Sequence, residues 1–205
     1  MKYSMRGNVD PFIVMDVMEN ARKAEEGGRK IIHMEVGQPS TAAPSGALER
    51  TSQIIKSNPL GYTVALGLPE LRKKISTLYG SWYNLDIDPA RVIVTSGSSG
   101  AFILSFTALF EEGARVGIGA PGYPSYRQIL KSLGITPVDI VTNLENKFQP
   151  SAKDVMSQNL DGLLVASPSN PTGTILSKDE LTDLIDASHS IGANFITNLN
   201  HIFLI

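Results

Sequence analysis

The sequence predicts an α/β domain: a three-layer αβα arrangement around a mostly parallel sheet, with an N-terminal helical arm. Three observations carry this. Short apolar runs of strand character alternate with longer runs of helical character along most of the chain, the pattern of βα units. Gly162-Leu163-Leu164-Val165-Ala166 is wholly apolar, as expected of a strand buried on both faces. Two loops, Thr95-Ser96-Gly97-Ser98-Ser99-Gly100-Ala101 and Ser169-Asn170-Pro171-Thr172-Gly173, each follow a strand-like run and lead toward a helix-like run. In open parallel sheets, ligands bind outside the carboxyl ends of the strands, where such loops lie.

The elements follow in order. Asp10-Pro11 opens a first helix, with Asp as N-cap and Pro at the first helical position. Phe12, Met15, Val17, Met18 and Ala21 give it an apolar stripe, and Gly27-Gly28 ends it. Ile31 to Val36 reads as a short strand stopped by Gly37-Gln38-Pro39, and a helix covers Leu48 to Ser57. Pro69 starts a helix with Leu71, Ile75 and Leu78 on one face. Arg91 to Thr95 reads as a strand leading into an apolar helix, Ala101 to Phe110, with so little polar face that burial all round is expected. Then come a strand at Val116–Gly119, a helix at Ser125–Leu133, a strand at Val138–Val141, a short helix at Ala152–Gln158 and the apolar strand at Gly162–Ala166. Ser177-x-x-Glu180 is a capping box for a helix from Lys178 to Ser190, and Ala193–Thr197 forms the last strand.

Composition excludes several classes. A net charge of −2 over 205 residues offers no basic face for nucleic acid. No uncharged apolar run has the length of a membrane span, and the start has no apolar signal core, so a cytoplasmic location is expected. The chain has no cysteine, which excludes disulfides and thiolate metal sites.

Chemistry concentrates in the loops. The Gly97 loop precedes a helix whose first N–H groups suit a phosphate, and Ser98 and Ser99 add hydroxyl donors. Taken alone, such a turn is more often only a turn, and no Gly-Lys-Ser/Thr follows to make it a P-loop. In Ala120-Pro121-Gly122-Tyr123-Pro124-Ser125-Tyr126, Pro and Gly fix a turn after a strand, and Tyr123 can present its ring face to a planar group. Asn170-Pro171-Thr172-Gly173 can hold a polar side chain over the strand ends, although an isolated Asn-Pro is an ordinary turn. Two further stretches accompany these: Met34-Glu35-Val36-Gly37-Gln38-Pro39, and Gly61-Tyr62-Thr63-x-Ala65-x-Gly67-Leu68-Pro69-Glu70-Leu71-Arg72.

In this order the five segments resemble the class I/II pyridoxal-phosphate-dependent aminotransferases of fold type I, the aspartate aminotransferase superfamily, over about Pro11 to Phe195. The resemblance implies pyridoxal 5'-phosphate as cofactor, with an amino acid and a 2-oxo acid as substrates. It implies that Ser98 and Ser99 hold the cofactor phosphate, that Tyr123 stacks on the pyridine ring, and that Asn170 hydrogen-bonds the ring's 3-hydroxyl oxygen. Tyr62 would reach the phosphate of the cofactor in the other subunit of a homodimer, and Gly37 would lie near the substrate carboxylate. The implied domains are 1–47, an arm and small-domain segment; 48–197, the cofactor-binding large domain; and 198–205, an aberrant apolar tail.

The sequence departs from the family at its end. Asn198 stands where the family has the aspartate that keeps the ring nitrogen charged; an amide can hydrogen-bond the ring but brings no charge. His201 falls where a tyrosine is expected. Family members are about twice as long, and the lysine that carries the cofactor lies in the half not represented; none of Lys30, Lys131, Lys147, Lys153 or Lys178 sits in a matching motif. A reading frame broken near Thr197 would account for Leu199 to Ile205. The expectation is therefore an aminotransferase N-terminal half, inactive alone. The alternatives are a non-catalytic cofactor-binding module or subunit partner, and a carbon–sulfur lyase or acyl-transferring synthase on the same fold.

Overall fold

The computed structural model describes residues 2–37 and 40–199. Gln38, Pro39, His201 and the tail from Asn200 to Ile205 lie outside the described residues. Contacts gather the chain into two compact units, one of residues 13–96 and one that joins the N-terminal segment up to Phe12 with residues from Gly97 onward. The expected boundary at residue 47 falls inside a helix, Ser45–Ser57.

The first unit carries three helices: α1 (Ile13–Glu26), α2 (Ser45–Ser57) and α3 (Pro69–Tyr83). α1 begins at Ile13 rather than at Pro11, because the carboxylate expected to cap it is engaged elsewhere: Asp10 accepts a 2.6 Å bond from Lys131 Nζ. Arg22 on α1 reaches Glu19 at 2.7 Å and Glu26 at 2.5 Å, the i,i−3 and i,i+4 spacings that face each other on a helix. Pro69 stands at the start of α3, as its fixed φ allows.

Neither strand expected in this unit forms. Arg91–Thr95 begins in a 3-10 turn, Pro89–Arg91, and Arg72 of α3 donates to the carbonyls of Val92 (2.8 Å) and Pro89 (2.7 Å). Those carbonyls are thereby taken from any ladder, and Val94 N–H makes a single backbone bond to Leu66 at 3.0 Å. Gly67 is required here, since its φ of +98° favours glycine and an added Cβ would lie 2.6 Å from Val94 Cγ2. At Ile31–Val36 the bonding is likewise made by side chains. Glu35 accepts from Met34 N–H at 2.9 Å, and the His33 ring lies between Glu35 (2.7 Å) and Glu25 (3.0 Å). A strand exists only where a neighbour completes its ladder.

The second unit contains α4 (Gly97–Leu109), β1 (Arg115–Ala120), α5 (Pro124–Ser132), β2 (Thr136–Val141), α6 (Ala152–Met156), β3 (Gly162–Ala166), α7 (Lys178–Ser190) and β4 (Asn194–Asn198). The strands form one parallel sheet in the order β2-β1-β3-β4. Leu163 pairs with Gly117 on one side and Phe195 on the other, and this register fixes which side chains share a face.

Alternation along the strands sorts the core into two layers. Val116, Ile118 and Leu164 pack with Phe102 and Phe106 of α4 and Tyr126 and Leu130 of α5. On the opposite face, Ile140, Leu163 and Val165 pack with Val155 of α6 and Leu184 and Ala187 of α7. Helices therefore cover both faces of the sheet, the three-layer arrangement expected from its apolar central strand. α4 departs from expectation: Phe102 and Phe106 are buried, whereas Ile103 and Leu104 are 47% and 58% exposed. Only the face toward α5 and β1 is covered among the described residues.

The capping box at α7 forms as read. Ser177 Oγ accepts from Glu180 N–H at 3.2 Å, and Glu180 accepts from Ser177 N–H at 2.7 Å. The Ser177 donors and Lys147 hold the Glu180 carboxyl down at about 2, against an ordinary 4.5. A depressed carboxylate stabilises above its unfolded value and ceases to do so as pH falls through its folded value. The contribution of Glu180 is thus complete above about pH 4.5 and disappears toward about pH 2. Glu180→Gln should flatten that part of the stability–pH curve, as followed by thermal melting. Leu163→Ala, at a site with no exposure, should lower unfolding stability by about 2–5 kcal/mol in denaturant titration.

Candidate functional site

The strand order reverses direction at β1: β2 follows on one side, and β3 and β4 lie on the other. The carboxyl ends of β1 and β3 therefore flank a crevice between loops that leave in opposite directions, the place where open α/β sheets bind ligands. A small cleft lies there, lined by Gly119, Gly122, Tyr126, Phe148, Gln149 and Asn170 among others.

Each loop is built by local chemistry. After β1, the Ala120 carbonyl accepts from both the N–H and the hydroxyl of buried Thr142, at 2.9 Å each, which fixes the end of the strand. Gly122 then turns the chain against the Gly119 carbonyl oxygen, leaving no space for a Cβ. Tyr123 follows at the N-cap of α5. Its ring is half-buried and meets Tyr126 edge-on (5.4 Å between centroids, 78°) and Phe12 likewise (6.0 Å, 82°). After β3, Ser169 N–H bonds the Thr174 carbonyl and Gly173 N–H the Ser169 carbonyl, both at 2.8 Å, with Gly173 at a φ of +70°. Asn170 sits half-buried within this closed loop.

α4 begins with Gly97 at a φ of +73°, followed by exposed Ser98 and Ser99 and no acidic side chain in the first turn. First-turn N–H groups have no partner within a helix and carry partial positive charge. Ser98 lies one turn before Phe102 on the same helix face. The Phe102 ring stands edge-on to Tyr126 at 5.0 Å. Asn198 ends β4 and donates from Nδ2 to the Tyr126 hydroxyl at 2.6 Å. Tyr126 thus links two expected site residues, Tyr123 by ring contact and Asn198 by hydrogen bond, and it packs against α4 through Phe102.

Two expected residues belong to the other compact unit. Tyr62 is fully exposed. Gly37 is exposed and follows the Glu35–His33–Glu25 cluster. There, Glu35 first and Glu25 second hold the imidazole above its usual value, and His33 holds the Glu35 carboxyl below its own.

Sequence reasoning assigned no role to Tyr126, Thr142 or Gln149. Tyr126 carried a signal in its i,i+3 spacing from Tyr123, the separation of neighbours on a helix start. A loop threonine and a loop glutamine carry none. Among the described residues, no group of three acidic, histidine or cysteine side chains could hold a metal ion, and no helix is long and apolar enough to cross a membrane.

The chain belongs to the class I and II aminotransferases. The model of the family described as "Aminotransferase class I and II" matches residues 29–196. The valine–pyruvate aminotransferase of Mycobacterium tuberculosis is 40% identical over 182 residues, covering 88% of this chain and 47% of that one. A solved aminotransferase structure from the same organism superposes with a TM-score of 0.94 at 36% identity, covering 100% of this chain and 54% of the other. A Silicibacter pomeroyi structure, assigned to the aminotransferases provisionally, is 56% identical with a TM-score of 0.86, covering 96% and 50%. The chain spans about half the length of the curated relatives it matches.

Two glycine substitutions separate two demands of the site. Gly97→Ala meets nothing within 4 Å, so its cost is that of the left-handed backbone alone, about 1 kcal/mol of unfolding stability. Gly122→Ala collides with backbone and must shift the turn before Tyr123, at a cost of about 1–3 kcal/mol. Urea unfolding of both variants measures the two costs.

Proposed function

We propose that these residues form the cofactor-holding part of a pyridoxal-phosphate-dependent aminotransferase that moves an amino group from an amino acid to a 2-oxo acid. The observation that carries this reading is the gathering of Tyr123, Asn198 and Phe102 of α4 around Tyr126, beside the crevice that Asn170 lines.

The residues present suit the group. Ser98 and Ser99 place hydroxyls and first-turn N–H groups on a helix start without acidic neighbours, as a phosphate dianion requires. Gly122 keeps the β1 turn free of a side chain. Tyr123 supplies an aromatic face whose orientation Tyr126 and Phe12 restrict. Asn170 would bind the 3-hydroxyl oxygen, and Asn198 would meet the ring nitrogen with an amide rather than a charge. When bound, pyridoxal phosphate supplies an electron sink beside its ring nitrogen. An amide at that nitrogen supports the protonated ring less than a carboxylate does.

Gly37 would lie near the substrate carboxylate, and exposed Tyr62 would reach the cofactor phosphate of a second subunit in a homodimer. A cytoplasmic location accompanies this reading.

Absorbance titration with pyridoxal phosphate tests the reading. The chain should bind the cofactor saturably, and Asn170→Ala should weaken binding about tenfold, the loss of one hydrogen bond to a charged oxygen. Affinity equal in the two proteins would exclude Asn170 from the site.

A further inference from the structure

We propose that Gln149 is the positioning residue that holds the Asn170 loop in its cofactor-binding shape, acting from the opposite side of the crevice. The proposal rests on the reading of Asn170 given above.

Gln149 lies in the loop between β2 and α6 and is 5% exposed. Its Nε2 donates to two backbone carbonyls, Ala166 and Thr174, at 3.1 Å each. Both partners are acceptors only, so the amide nitrogen must be the atom that faces them. The two carbonyls mark the ends of one excursion. Ala166 is the last residue of β3, and Thr174 is where the chain returns after Asn170. Within the excursion the Ser169–Thr174 and Gly173–Ser169 bonds close the loop on itself. Gln149 ties that closed loop to the strand from which it leaves.

The clamp is itself held firmly. Lys147 and Phe148 both adopt a φ of +55°, a conformation that residues with side chains rarely take. Phe148 N–H bonds the Asn143 carbonyl at 2.7 Å, and Gln149 N–H bonds the Asn146 carbonyl at 3.0 Å. The Asn143 side-chain oxygen accepts from Glu145 N–H at 2.8 Å. Such a backbone persists only where its surroundings dictate it. Here the outcome is a buried amide aimed at the base of the Asn170 loop, with Phe148 placed in the wall of the same cleft.

Gln149→Glu keeps the shape and replaces the donor with acceptor oxygens; Gln149→Met keeps the volume and removes polarity. Amide hydrogen exchange of the full chain should show at least tenfold faster exchange at Ser169 and Gly173 in both variants, with amides of the β1–β3 ladder unchanged within twofold. In pyridoxal phosphate titrations, Gln149→Met should weaken binding in the parent but add nothing in an Asn170→Ala background. Unchanged exchange at Ser169 and Gly173 would overturn the proposal. So would faster exchange spread evenly over the ladder, or an equal loss of affinity in both backgrounds. If Asn170→Ala alone binds as the parent does, the reading of Asn170 fails, and the exchange result decides by itself whether Gln149 holds the loop.

Discussion

The site depends on the burial of one aromatic side chain, Tyr126. This residue of α5 is 4% exposed, with Phe102 of α4 and Tyr123 edge-on to its ring. Edge-to-face arrangement lets aromatic groups pack closely without stacking their like-charged faces. A buried phenol needs a partner for its oxygen, and Asn198 at the end of β4 provides one. A single packing requirement thus connects α4, the β1 loop and the last described strand. None of these elements is adjacent to all the others in sequence, and only the parallel sheet brings them within reach.

The second unit was legible from sequence because its elements are self-sufficient in local signals. Gly162–Ala166 and the helix Lys178–Ser190 have the bounds read from an apolar run and a capping box. Each signal states a physical need that the fold meets: two covered faces for the strand, paired N–H groups for the helix. The strands read at Ile31–Val36 and Arg91–Thr95 show the converse. Their apolar character was real, but a strand is a relation between two segments, and the carbonyls of Pro89 and Val92 are claimed by Arg72 instead. No periodicity encodes a side chain that arrives from seventeen or twenty residues away. The same reasoning explains Asp10. Its capping pattern was sound, but Lys131 offers an opposite charge that the local sequence does not contain.

The candidate site divides in the same manner. Loops that carry glycine and proline announce themselves, because left-handed backbone and tight turns restrict the residue type. The turns that carry Tyr123 and Asn170 could therefore be read from sequence as following β1 and β3, whereas the strand read before Ser98 does not form. The groups that hold those loops in shape, Thr142 and Gln149, act through side-chain bonds to backbone carbonyls. Such bonds recruit common polar residues and leave no pattern. Asn198 is expected from the resemblance to be a weakened ring partner; in the structure its amide donates to Tyr126.

The unit of residues 13–96 has no buried residue among those described, and large apolar side chains such as Ile13, Leu48 and Ile55 are more than half exposed. Within it, α1 carries ion pairs of Arg22 and Lys23 with Glu19 and Glu26, and Arg72 ties α3 to the carbonyls of Val92 and Pro89. Short helices of this kind are marginal in water unless an apolar face is covered. Cooperativity in the chain is consequently uneven. The sheet and its two packed layers are therefore expected to open together, and α1 and α2 at lower free energy. An unfolding curve followed by helical signal would then report a different event from one followed by the environment of Tyr126, and a single unfolding free energy would not describe both.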